Sequence, residues 1–418
     1  RDRRLAVVPF GGGTSVVGGV SGSAGPFAAT VCIDLRRLNR MLAIDPVSRT
    51  AVFQPGLRGP EVEAALRPHG FTLGHYPQSH QEATIGGYVA TRSAGQASTG
   101  YGRVDEIVRG ATLATPEGTL RLDMRAPASA AGPRLLDLVV GSEGALGIIT
   151  EVTMAVAPMP SQTAYAAVAF DSFEAAVDGL RRVAQDVPHG LRPDIVRLSD
   201  ADETRVSLAL AGRAGRALTA YTTARRLSAP CLVVLLWEGT DARELDARRA
   251  ATWDVLRRAD AVRMPSAIAR AWEKGRFSGP YLRDELMGHG VLVETLETAT
   301  SWANLVALHD EVAAAIRTVW AGAGLPVIVQ CHVSHVYATG ASLYFTVVGP
   351  EAPDPVAQWR AVKTAATAAI IDGGGTVTHH HAVGTDHVDG LTAEVGELGM
   401  RVLRAVKETL DPTGILNP

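Results

Sequence analysis

The chain has 418 residues, 46% apolar and 20% charged, with a formal net charge of −3, enough for two domains with unstapled cores and without the basic footprint of a nucleic-acid binder. Its three cysteines, Cys32, Cys231 and Cys331, are far apart and form no C-x-x-C, which argues against a disulfide framework or zinc ribbon and fits a reducing cytoplasm. The longest apolar run, residues 231–237, is far too short to span a bilayer.

In chain order, Leu5–Phe10 reads as a buried strand feeding a glycine loop; Arg1 is not a methionine, so the first part of a domain is expected upstream. Residues 30–35 read as a strand and 41–55 as a hairpin turning at Asp45-Pro46. A helix follows, with Pro60 near its first position and Gly70 as its stop. Residues 107–114 and 119–122 pair around Pro116-Glu117-Gly118, and 147–157 alternate like a strand. After Pro158-Met159-Pro160 the pattern changes. A strand over 164–170 leads into a helix over 173–184, and a strand over 231–238 into a helix over 242–259. A long helix over 302–323 precedes strands 327–336 and 341–348, paired around Thr339-Gly340, and a last helix over 391–410 ends at Asp411-Pro412-Thr413-Gly414. Strands alternating with long helices predict an antiparallel sheet covered by helices. The class is α+β, with a boundary near Met159.

Gly11-Gly12-Gly13-Thr14-Ser15 follows the first strand. Consecutive glycines let backbone N–H groups converge, and such a nest binds phosphate oxygens. It is neither the dinucleotide fingerprint nor a Walker loop, because no suitably spaced helix and no Gly-Lys-Ser/Thr follows; a plain tight turn is the alternative. Three more small-residue clusters stand in the same half. They are Ala83-Thr84-Ile85-Gly86-Gly87 ahead of Thr91-Arg92-Ser93-Ala94-Gly95, then Ser98-Thr99-Gly100-Tyr101-Gly102, then Gly141-Ser142-Glu143-Gly144-Ala145-Leu146-Gly147-Ile148-Ile149-Thr150. Four such clusters exceed what turns alone require.

This order of motifs resembles the FAD-binding domain of the vanillyl-alcohol oxidase and p-cresol methylhydroxylase superfamily over residues 5–158. The resemblance implies a two-domain flavoenzyme. Residues 1–158 would form an FAD-binding domain of the p-cresol methylhydroxylase (PCMH) type, truncated at its start. Residues 159–418 would form a substrate or cap domain whose segment from about 376 to 418 returns toward the flavin. By the same resemblance, Gly11, Gly12, Gly13, Thr14 and Ser15 hold the pyrophosphate, and Gln78, Ser79, Thr84, Gly86 and Gly87 line the isoalloxazine and ribityl side. Glu143, Gly147 and Ile149 close over the adenosine half, and Pro9 and Ser93 belong to the same cofactor set. Relatives with covalent flavin often carry a histidine in the glycine loop; Thr14 and Ser15 stand there, so non-covalent FAD is expected.

The most unusual string is Thr378-His379-His380-His381-Ala382-Val383-Gly384. If extended, it places His379 and His381 on one face and His380 on the other. Imidazoles titrate near neutrality and suit proton transfer. Two alternatives are a zinc site drawn from His332, His335, His379, His381 and His387, and histidines used for surface or packing. No H-E-x-x-H is present, and no metal is expected.

Within the superfamily this string resembles the alkyldihydroxyacetonephosphate synthase branch. Arg283-Asp284 leading to Glu294-Thr295-Leu296-Glu297-Thr298 and Trp302 agrees with it, as do Thr339-Gly340-Ala341-Ser342-Leu343-Tyr344-Phe345, Ile195-Val196-Arg197-Leu198-Ser199-Asp200, and Val406-Lys407-Glu408 to Asn417-Pro418. Three departures stand out: Ala382 replaces a glycine, Thr385-Asp386-His387 replaces a basic segment, and Gln78 stands where aspartate is usual. The resemblance implies a transferase of ether lipid synthesis that exchanges the acyl group of acyl-dihydroxyacetone phosphate for a fatty alcohol through a flavin N5 adduct. Arg283 would pair with the substrate phosphate and Tyr344 would donate or accept a proton. His381, with His379 and His380, would handle the C1 proton and orient the phosphate, and His75 would sit close to the flavin. Arg197 would anchor a loop or form a surface ion pair. Leu282, Leu286, Met287, Val291 and Leu292 would line a hydrophobic tunnel or belong to the core. The alternative is an FAD-linked dehydrogenase or oxidase of a 2-hydroxy acid or alcohol, which needs the same polar groups and an electron acceptor. The expected partners are a lipid phosphate and a fatty alcohol, or a hydroxy acid and an acceptor, without nucleic acid. A cytoplasmic homodimer is expected, with room for peripheral membrane contact.

Overall fold

The structure is a computed structural model that describes residues 5–22, 25–123 and 125–418. The chain divides into two compact units: Arg1–Gly95, Tyr101–Met159 and His380–Pro418 form one, and Gln96–Gly100 and Pro160–His379 form the other.

In the first unit, β1 (Leu5–Phe10) pairs in parallel with β2 (Ala29–Asp34). The chain's last residues run along β1: Val7 N donates to Ile415 O at 2.7 Å and Asn417 N to Val7 O at 2.8 Å. Lys407 pins this tail, its Nζ donating to Leu416 O at 2.5 Å and to the Asp411 carboxylate at 2.7 Å. The strands β3 (Met41–Asp45), β4 (Thr50–Phe53), β5 (Phe71–Thr72), β6 (Val108–Thr115), β7 (Gly118–Leu122), β8 (Ile148–Ala155) and β9 (Ala157–Pro158) follow. Five of them form an antiparallel sheet in the order β3-β4-β8-β6-β7, and β5 pairs with β9. Phe53, Leu113, Val152 and Met154 bury one face of that sheet with Leu66 of helix Gly59–Leu66 and with Ile85 and Val89 of helix Ile85–Ala90. Pro60 stands in the first turn of the former helix, where a missing N–H costs nothing, and Gly70 ends the following 3₁₀ turn at φ 77°.

The second unit is one antiparallel sheet of β10 (Gln162–Phe170), β11 (Ile195–Ser199), β12 (Cys231–Gly239), β13 (Val262–Met264), β14 (Val291–Ser301), β15 (Ile328–Val336) and β16 (Gly340–Pro350), in the order β13-β10-β12-β11-β15-β16-β14. Helices Phe173–Asp186, Ala242–Arg258, Leu305–Gly322 and Pro355–Asp372 bury their apolar stripes in its core. The expected antiparallel sheet under helices is therefore present. Side chains alternate along a strand. Val196, Leu198, Val329, Cys331, Val333, Leu343, Phe345 and Val347 lie in the helix-covered core. Arg197, Gln330, His332, Ser342 and Tyr344 therefore project from the other face. Pairing aligns Glu297, Tyr344, His332 and Ser199 in one row across β14, β16, β15 and β11.

Two helix starts differ most from expectation. The helix expected from 302 starts at Leu305, because Trp302 instead donates its Nε1 hydrogen to Tyr337 O at 3.0 Å. The last helix spans Val388–Leu410 and breaks at Gly396, with φ 70° and ψ 171°. Among the described residues no helix is long and apolar enough to cross a membrane.

Candidate functional site

In the first unit, β1 delivers the glycine loop onto the backbone ahead of helix Ile85–Ala90. A Cβ on Gly12 would strike the carbonyl oxygen of Glu82, so only glycine permits this approach. His80 N donates to Pro77 O at 3.0 Å, which closes the turn carrying Gln78, and Ser79 O accepts from Glu82 N and Ala83 N, each at 2.9 Å. Thr84 caps the helix, its Oγ1 accepting from Gly87 N at 3.3 Å, while Gly86 packs on Pro55 and Pro9 on Gly144. Ser15 Oγ accepts from Gly19 N at 3.0 Å. Gly11, Gly12 and Gly13 thus press bare backbone against Thr84, Glu82 and Phe10, and a glycine cradle of this kind suits a pyrophosphate.

Glu143 is tied to a distant part of the chain. Its carboxylate accepts from Val383 N and Gly384 N, each at 3.0 Å, and so holds the segment after the histidine run. Burial pushes its pKa up, against the pull of those two donors. Ile149 points into the core, paired with Leu113, and Gly147 packs on the same leucine.

His75 is only 1% exposed. Its Nε2 shares a 2.7 Å hydrogen bond with Ser93 Oγ, which engages the Ser93 hydroxyl, and its ring lies 4.7 Å from that of Tyr88. Burial lowers its pKa to about 3, so the imidazole is neutral. Among the described residues its Nδ1 is buried and has no hydrogen-bond partner. An unfolded chain protonates this histidine below its ordinary value of 6.5 while the folded one resists until about 3. Stability present above pH 6.5 is therefore lost as pH falls through that window. His75→Gln is expected to flatten this part of the acid limb, read from urea midpoints across pH.

The histidine run does not have the expected alternation. His380 and His381 meet edge to face with ring centroids 4.8 Å apart, because the segment bends instead of running as a strand. It turns at Ala382, φ 74°, and His387 Nδ1 meets Ala382 O at 3.0 Å. Gly384 lies flat against the Val17 carbonyl, where Thr385 N also donates at 2.9 Å. A left-handed alanine costs about 1–2 kcal/mol. Ala382→Gly is expected to stabilise the protein by about 1 kcal/mol, net of the glycine's own entropy, read as a rise in urea midpoint at constant slope.

In the second unit, the Tyr344 ring stacks on His332 with centroids 4.8 Å apart and planes 19° from parallel. His332 Nδ1 lies 3.2 Å from a Glu203 oxygen that also accepts from Arg197 at 2.8 Å. Arg197 is therefore neither a loop anchor nor a surface charge, but part of a largely buried chain leading to Tyr344. Beside Tyr344 in the row, Glu297 accepts from Thr378 Oγ1 at 2.5 Å and from His379 N at 2.7 Å. His379 Nε2 lies 2.8 Å from Tyr337 OH, and its ring stacks on His335 at 5.0 Å. His335, at φ 50° in the bulge between Ser334 and Val336, places Nδ1 2.6 Å from Ser98 Oγ. Strained backbone of this kind concentrates at functional sites. Burial pushes the Tyr344 phenol up, while a hydrogen bond with Thr295 pulls it down.

Arg283 lies on helix Gly279–Met287, partly exposed, with its guanidinium on Asp284 at 2.8 Å. Of the apolar residues read as lining a tunnel or belonging to the core, Leu292 is buried in the core, whereas Leu282 is 50% and Met287 48% exposed. The roles of Glu203, Glu297 and Tyr337, and the placement of His332 beside Tyr344, were not anticipated. The alternation of residues 328–336 would have put Gln330, His332 and Ser334 on one face.

Residues 159–418 match the family of FAD linked oxidases, C-terminal domain, and residues 1–122 match the FAD binding domain family. An alkyldihydroxyacetonephosphate synthase of Dictyostelium discoideum is 33% identical over 426 residues, covering 99% of this chain and 69% of the relative. A solved alkyldihydroxyacetonephosphate synthase superposes with a TM-score of 0.83 at 31% identity, covering 99% of this chain and 72% of that one. A p-cresol methylhydroxylase with substrate bound shares the fold, with a TM-score of 0.70 at 16% identity over 99% of this chain and 83% of the other.

Proposed function

We propose a reaction for this chain from one premise: it belongs to the FAD-linked oxidases and, within them, to the alkyldihydroxyacetonephosphate synthases. It is a flavoenzyme that uses FAD, and we propose that the cofactor is bound non-covalently. In the proposed reaction a fatty alcohol replaces the fatty acid on C1 of an acyl-dihydroxyacetone phosphate. The bond from C1 to the acyl oxygen breaks and a carboxylate leaves. The alcohol oxygen bonds to C1, its proton is released, and no electrons are gained or lost.

The observation that carries this reading is Tyr344, held between His332 and Glu297 in one row on the face opposite the core. Bound FAD would supply an electrophilic ring beside which carbon can change substituents. Gly11, Gly12, Gly13, Thr14 and Ser15, with Gln78, Ser79, Thr84, Gly86 and Gly87, would hold it. Tyr344 would donate and accept a proton at the substrate. His379, fixed through its backbone by Glu297 and through its ring by Tyr337, would hold or move the C1 proton with His380 and His381. Arg283 would exchange Asp284 for the substrate phosphate, which its planar fork suits better. A homodimer and peripheral membrane contact belong to the same reading. The exposed Tyr281, Leu282 and Met287 support the membrane contact, and flotation with vesicles tests it.

The test of the reaction supplies an acyl-dihydroxyacetone phosphate and a fatty alcohol with no electron acceptor. Ether lipid and free fatty acid are expected in equal amounts by mass spectrometry. Turnover only with a 2-hydroxy acid and an added acceptor would contradict the proposal.

A further inference from the structure

We infer that His332, stacked on Tyr344 and tied to Glu203, is a positioning residue that fixes the orientation of Tyr344 and favours its ionised form. This rests on the reading of Tyr344 as the proton-handling group.

The arrangement is built by three elements. Pairing of β15 with β16 sets His332 directly opposite Tyr344. Helix Ala201–Leu210 brings Glu203 beneath the imidazole, and its N-cap Asp200 holds Glu203 N at 2.7 Å. Asp200 also accepts from Cys331 N at 2.9 Å, locking that helix to β15 one residue from His332. Burial opposes ionisation of Glu203, but Arg197 and His332 outweigh it and hold the carboxyl at about 2. An ionised Glu203 selects the tautomer with hydrogen on Nδ1 and raises the basicity of the ring. A proton on His332 then places positive charge over the face of the Tyr344 ring.

The other groups around Tyr344 make that charge consequential. Burial, Glu297 and Glu294 of β14 push the phenol up, whereas Thr295 and, from β11, Arg197 pull it down. His332 is stacked on the ring itself. A simple packing pair would need neither Glu203 nor Arg197 in the interior, where an ion pair is costly to bury.

The test uses the full-length FAD-loaded enzyme. H332F keeps a flat ring for stacking; H332Q keeps a hydrogen-bond donor for Glu203. Neither carries charge. Ionisation of Tyr344 is followed by ultraviolet tyrosinate absorbance, each protein being subtracted from its own Y344F counterpart, and the pH profile of kcat is recorded alongside. Both variants are expected to raise the Tyr344 ionisation by about one pH unit, and the limb of the kcat profile that Y344F abolishes moves with it. Titrations that superimpose on the wild type in whichever variants fold would overturn the inference. An enzyme that makes no ether lipid yet shows the shift sinks the proposed reaction and leaves the coupling standing. An enzyme that makes ether lipid without the shift sinks only the coupling.

Discussion

Tyr344→Phe is expected to lower kcat by about 10²–10⁴-fold, the range for loss of a positioned acid–base group. The aromatic ring remains to stack on His332, so packing and melting temperature change little. Tyr344 is flanked along its row by His332 and Glu297, and in the proposed reaction its phenol gives and takes the proton at the substrate. FAD content should stay at the wild-type level, because the cradle lies in the first unit and Tyr344 in the second. KM should change far less than kcat, since the lost hydroxyl acts on the transition state. A variant that keeps most of its rate would remove Tyr344 from the chemistry.

Gly12→Ala is expected to weaken FAD binding by about 10–100-fold, equivalent to the roughly 1–3 kcal/mol that forcing a methyl into packed backbone costs. The new Cβ would press on the Glu82 carbonyl and the Ala83 backbone, neither of which can swing aside as a flexible side chain can. The loop must then lift off residues 82–84, opening the surface proposed to hold the cofactor. The measurement is the ratio of flavin to protein absorbance after purification, followed by an FAD titration of the apoprotein. The second unit should keep its near-ultraviolet circular dichroism. Stoichiometric FAD in Gly12→Ala would place the pyrophosphate elsewhere.

Local signals made much of the fold legible. Pro116-Glu117-Gly118 marked the turn between β6 and β7, Pro60 and Gly70 bracketed a helix, and alternation revealed β8. Helices Ala201–Leu210, Gly212–Ala224 and Pro355–Asp372 were not anticipated; alanines are spread around all three, which blurs the apolar stripe in the sequence. The parallel pairing of β1 with β2 and the return of residues 415–417 to β1 are long-range choices that no window of sequence encodes.

The candidate site divides similarly. The glycine loop, Thr84 and the presence of Tyr344 and the histidines were readable as residue types in order. Their mutual geometry was not. The alternation expected for 379–381 failed because Glu143 and Val17, more than 200 residues upstream, seize the backbone after Ala382. Arg197 could not be told from a surface charge until a helix placed Glu203 beneath it. Glu297 looked like one acid in a strand, and only its capture of Thr378 and His379 shows what it positions.

The most direct measurement is an anaerobic titration of the FAD-loaded full-length enzyme, following the long-wavelength flavin absorbance. An acyl-dihydroxyacetone phosphate is added first and a fatty alcohol second, with no electron acceptor present. Bleaching by the first and recovery with the second, accompanied by ether lipid, is the predicted result. Bleaching by a D-2-hydroxy acid alone, reversed only by an added acceptor, would contradict the account.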